Sequence, residues 1–148
     1  MARLGARIGI AVFAFVGIAV TTTTVAQVDS WVDQATCVAP GSGTETDPYC
    51  VIMDAVCDIK DVGGTVHVRP GTYNESIRLY RGMSIVSTDG PAVTTIDGTG
   101  QPCWTRDCVP NTADPQCSTV LVSSINGLGP TPADRLEGFR ITGGSGTF

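Results

Sequence analysis

The most constraining feature is a rhythm between Thr65 and Asp97. Short runs in which apolar and polar residues alternate are separated by turn residues at intervals of roughly ten. Thr65-Val66-His67-Val68-Arg69, Ser76-Ile77-Arg78-Leu79-Tyr80 and Met83-Ser84-Ile85-Val86 are such runs, with Pro70-Gly71, Arg81-Gly82 and Asp89-Gly90-Pro91 between or after them. Each run turns one apolar row inward and is too short, and follows its predecessor too quickly, for intervening helices. Weaker echoes stand at Thr94-Thr95-Ile96-Asp97-Gly98, at 118–123 and at 136–144. Glycine and proline supply 18 and 9 of 148 residues, a balance that excludes a helix bundle. Such spacing permits either a β-sandwich or strands coiled into a parallel solenoid, and composition does not choose between them.

One helix is expected before the strands. Asp47-Pro48 forms an N-cap with proline at the first helical position, the helix runs from Tyr49 to Lys60, and Gly63-Gly64 stops it. Val51, Ala55 and Ile59 recur at a spacing of four, flanked by Ile52 and Val56, while Asp54, Asp58 and Asp61 share the other side as a solvated acidic face.

Residues 1–26 read as a Sec leader: Arg3 and Arg7 precede the apolar run Ile8 to Val20, and the segment ends at Thr24-Val25-Ala26. That run is shorter than the roughly 20 residues that cross a bilayer, so a retained anchor is the weaker reading. Its removal takes two bases and no acid, moving the formal charge from −5 to −7. Acidity and the lack of any Lys/Arg cluster exclude nucleic acid as a partner.

Export makes Cys37, Cys50, Cys57, Cys103, Cys108 and Cys117 candidates for disulfides. Cys37 and Cys50 flank a polar Gly/Ser/Thr loop that needs a tie and are expected to pair, which stabilises the fold by about 3 kcal/mol in the chain-entropy model. The other four are expected to pin the polar loop 101–118 through two bridges, pairing unassigned. Zinc is disfavoured, because Cys103, Cys108 and Cys117 form no Cys-x-x-Cys pair and the chain has one histidine. No metal or cofactor is expected. Asp97-Gly98-Thr99-Gly100 is read as a tight turn, since it lacks the spaced acids of a calcium site.

The stretch Gly64-Thr65-Val66-His67-Val68-Arg69-Pro70-Gly71-Thr72-Tyr73-Asn74-Glu75, with Asp47-Pro48-Tyr49 before it and Ile77-Arg78-Leu79, Thr94-Thr95-Ile96-Asp97-Gly98 and Leu136-Glu137-Gly138-Phe139-Arg140-Ile141-Thr142-Gly143-Gly144 after it, resembles the pectin-lyase-like superfamily. The likeness covers about residues 30–148 and is strongest at 66–75. It implies an all-β, right-handed parallel β-helix (a solenoid) with a short N-terminal capping α-helix. The domain reading is a leader at 1–26, a disulfide-tied polar loop at 27–47, and the capping helix with the first rungs at 48–148. Val66, Val68, Ile77, Leu79, Met83, Ile85, Ile96, Val120, Val122, Phe139 and Ile141 would form the inner column. Two to three turns with no closing cap suggest a truncated N-terminal portion, or a chain completed through self-association at its open last rung.

No catalytic residue carries over, because the calcium ligands and arginine of the lyases and the paired aspartates of the esterases have no matching motif here. His67, Arg69 and Arg78 sit at outward positions where they could hold an acidic sugar, although a solvated strand face is the ordinary explanation. Trp31 and Trp104 are assigned to packing, and Asn74-Glu75-Ser76 fits the glycosylation pattern. The leading expectation is a secreted or cell-surface binding or adhesion protein, its partner a polysaccharide or cell-surface ligand. The alternatives are the N-terminal part of a lyase, hydrolase or esterase acting on acidic polysaccharide, with its active site beyond Phe148, and a disulfide-stapled β-sandwich module.

Overall fold

The computed structural model describes residues 28–101, 108, 118–122, 129–132 and 134–144. The expected leader at 1–26, Cys103, Cys117 and Trp104 lie outside them.

Among the described residues nine short strands and one helix follow in the order β1 (Val28–Val32), α1 (Ile52–Ile59), β2 (Gly64–Val68), β3 (Gly71–Tyr73), β4 (Ile77–Leu79), β5 (Met83–Ser87), β6 (Thr94–Asp97), β7 (Val120–Val122), β8 (Arg135–Glu137) and β9 (Arg140–Thr142). All strand pairs are parallel, and they gather into sheets ordered β1-β2-β5-β8, β3-β6-β9 and β4-β7.

This corrects the expected all-β right-handed β-helix solenoid. A solenoid adds a strand to every sheet at each repeat, whereas these sheets hold four, three and two strands and none closes on itself. Nor is the helix an accessory, since Ile52, Met53, Ala55, Val56 and Ile59 all belong to the buried core. Burying each of the four larger side chains, Ile52, Met53, Val56 and Ile59, contributes roughly 1.5–3 kcal/mol. The class supported is therefore short parallel strands in three small open sheets with one core helix.

Two further expectations change. The segment 27–47 contains β1, so it is not simply a loop. The helix begins at Ile52, with no side-chain cap from its own N-cap residue, Val51. Its first amides are held from far along the chain: the N–H groups of Ile52 and Met53 donate to Glu75 Oε1 (2.8 Å) and Oε2 (3.0 Å). A carboxylate there satisfies orphan donors and complements the helix dipole. At the other end the Gly63 N–H donates to the Ile59 carbonyl at 2.8 Å. Gly63 has φ +75, and a Cβ there would meet the Gly82 carbonyl oxygen at 2.6 Å. Glycine suits that bend.

Val66, Val68, Tyr73, Ile77, Leu79, Met83, Ile85 and Ile96 fill the interior with the helix. Val122 and Ile141, expected in the same column, are 50% and 48% exposed, and Val120 and Phe139 are partly buried. Asp134 fastens β8 to the start of β5 by accepting from the N–H groups of Gly82 (2.7 Å) and Met83 (3.2 Å).

Among the described residues two disulfides are present, Cys37–Cys50 and Cys57–Cys108, the second tying α1 to residue 108. No helix among the described residues is long and apolar enough to cross a membrane. Both features are compatible with a secreted protein.

Candidate functional site

Along β1 and β2 the inward positions are Ser30, Val32, Val66 and Val68, so Asp29, Trp31, Thr65 and His67 point the other way, with Arg69 just beyond. Parallel register sets Trp31 directly beside His67. Their rings stack with centroids 4.5 Å apart and planes 22° from parallel. The Arg69 guanidinium carbon lies 5.3 Å from the Trp31 ring centroid, in cation–π range.

Carboxylates surround this group. His67 Nε2 lies 3.1 Å from Asp29 Oδ1. Arg69 donates to Asp33 Oδ2 at 3.3 Å, to Glu45 Oε1 at 3.4 Å and to the Glu45 carbonyl at 3.5 Å. Burial opposes ionisation of Asp33, but the Thr36 hydroxyl, the Ala35 N–H and Arg69 outweigh it and hold its pKa below the ordinary value. Arg69 is also anchored through its backbone, whose carbonyl accepts the Tyr73 hydroxyl at 2.8 Å. Burial pushes the Tyr73 phenol to about 12.

The loop closed by Cys37–Cys50 borders this face and covers the free edge of β1. Trp31 N–H donates to the Gly43 carbonyl (2.9 Å), Tyr49 N–H to the Trp31 carbonyl (2.9 Å) and Asp33 N–H to the Tyr49 carbonyl (3.0 Å). A covered edge no longer templates strand addition. Close approach explains Gly43: at φ +74, a Cβ would lie 2.5 Å from the Tyr49 ring.

Of the three outward candidates, the structure brings His67 and Arg69 together and removes Arg78. Arg78 is 7% exposed, and its backbone N–H donates to the Met53 thioether of α1 at 3.2 Å. Period-two reasoning assumed one open side of β4, but the helix packs close on that strand. Sequence reasoning in turn missed Asp29, Asp33 and Glu45 and gave Trp31 to packing. The alternation Val28-Asp29-Ser30-Trp31-Val32 was the available signal, obscured because serine occupies an inward position.

Polar groups elsewhere serve turns and packing. The Asp97 carboxylate accepts the Thr99 N–H at 2.9 Å, consistent with a turn. Burial, then the charges of Asp58 and Asp54, raise the Tyr49 phenol, so the helix acids lean on that ring. Among the described residues no group of three or more His, Cys, Asp or Glu is arranged to hold a metal ion. An open cavity of about 400 Å³ between β7 and β9 is bordered by Ser118, Thr119, Val120, Ile141 and Thr142. No family model, curated protein or solved structure matches this chain.

Proposed function

We propose that this chain is an exported binding protein whose leader, residues 1–26, is removed, and which engages a polysaccharide or cell-surface ligand through the Trp31 face and the tied loop beside it. The Trp31–His67 stack with Arg69 across it carries this reading. An indole with hydrogen-bonding groups around it suits recognition of a ligand that is apolar on one side and polar on the other.

The test is binding of the secreted, disulfide-intact chain to a printed glycan array and to intact cell walls, compared with Trp31→Ala. Loss of binding by roughly tenfold or more, with an unchanged circular dichroism spectrum, is expected. Equal binding by the variant overturns the assignment of this face.

A further inference from the structure

We infer that the ligand of the Trp31 face is an uncharged sugar rather than an acidic one, an inference that rests on the binding function proposed above. Charge decides it. Around Trp31 one guanidinium, Arg69, faces three carboxylates, Asp29, Asp33 and Glu45, and its two terminal nitrogens already donate to Asp33 and Glu45. A uronate would bring a further negative charge against three carboxylates that one guanidinium already compensates only in part, and would compete with Asp33 and Glu45 for it. The nearby Asp33 is the costlier to displace, since its side chain is 7% exposed and already accepts from Thr36 and Ala35. At physiological ionic strength charges are screened over about 8 Å, too far to hide Asp29 or Glu45 from a ligand lying against the indole.

A cationic ligand fares no better, because Arg69 already occupies the cation position over Trp31. What remains open is hydrogen-bond acceptance. Asp29 and Glu45 have side chains 59% and 63% exposed. An ionised carboxylate has about four lone-pair sites, and among the described residues the Asp29 side chain meets His67 and the Glu45 side chain meets Arg69. Acceptors at the rim of an aromatic surface match a ligand that donates through hydroxyls and offers C–H faces. Farther along the same sheet the face continues through Thr65 and Ser84 to Arg135, and through Val86 to Glu137, the last two paired to each other at 3.3 Å. That extension adds no net positive charge.

The experiment presents the intact secreted chain with cellohexaose, chitohexaose and hexagalacturonate, alongside an array of uncharged and uronate glycans, by calorimetry and surface capture. Expected is binding to at least one uncharged glycan, roughly tenfold or more tighter than to any uronate. That affinity should change less than about twofold between roughly 0.05 and 0.5 M salt. The Asp29→Asn, Glu45→Gln double variant should lose affinity for the uncharged glycan while gaining for hexagalacturonate, with fold checked by circular dichroism. Preference for uronates, or an affinity that falls steeply with salt, overturns the inference and leaves the binding function standing. Capture of no glycan overturns the inference, and overturns the binding function too when intact cell walls are also not bound.

Discussion

Ile96 and Ile141 are neighbours in register on β6 and β9, yet Ile96 is fully buried and Ile141 is 48% exposed. Leu79 and Val122, partners on β4 and β7, differ in the same way at 6% and 50%. Residue type and strand position are equivalent within each pair, so what separates them is the next layer. β6 lies between β3 and β9, and β4 packs against α1 as well as pairing with β7, while β7, β8 and β9 each have a strand neighbour on one side only among the described residues. Burial here belongs to the stacking partner and not to the side chain's own pattern.

Three experiments would break or sharpen that contrast. The largest effect is expected from severing α1 from residue 108. Replacing Cys57 and Cys108 together by alanine removes a bridge of sequence separation 51, against 13 for Cys37–Cys50. In the chain-entropy model the losses are about 4 and about 3 kcal/mol, read by urea denaturation. Equal losses would mean the long connection does not set the stability of the helix-covered region.

Next, Ile96→Ala should cost about 2–5 kcal/mol, as large-to-small changes in filled cores do. Ile141→Ala should cost less than about 1 kcal/mol, because half of that side chain is already exposed. Similar values for the two would erase the comparison.

The smallest effect concerns the polar fastening of β8. Burial works against ionisation of Asp134, but the N–H groups of Thr131, Gly82 and Met83 outweigh it and keep its pKa below the ordinary carboxylate value. A lowered folded pKa stabilises above the unfolded value, about 3.9, and that contribution is lost as pH falls through the folded value. Asp134→Asn should cost about 1 kcal/mol near neutrality. It should also flatten the decline in stability between about pH 5 and pH 2, measured by urea unfolding at each pH.

The alternating runs made β2, β4, β5 and β6 legible in the sequence, and the spacing of four revealed the helix face, because both signals are local. β3 was hidden in its turn signal: Gly71–Tyr73 is three residues long and its glycine reads as punctuation. The start of the helix was misplaced because Asp47-Pro48 is a good local cap, whereas the cap used is Glu75, more than twenty residues away. Arg78 was misassigned for a related reason, since alternation gives a side chain's direction but not what lies there. At the candidate site His67 and Arg69 were legible from alternation. Asp29, Asp33 and Glu45 were not, because the approach of β1 and the tied loop to β2 is set by pairing across long separations.

The Glu75 clasp bears on the order in which the molecule can assemble. Eight residues are too few to hold a helix in water unaided, and in a chain emerging N-terminus first residues 52–59 appear before the carboxylate that secures them. A peptide spanning 48–63 should therefore be unstructured, and its helix should form only together with the strand-and-turn segment reaching Glu75. The earliest cooperative unit of this protein is a closed circuit of sequence rather than an element.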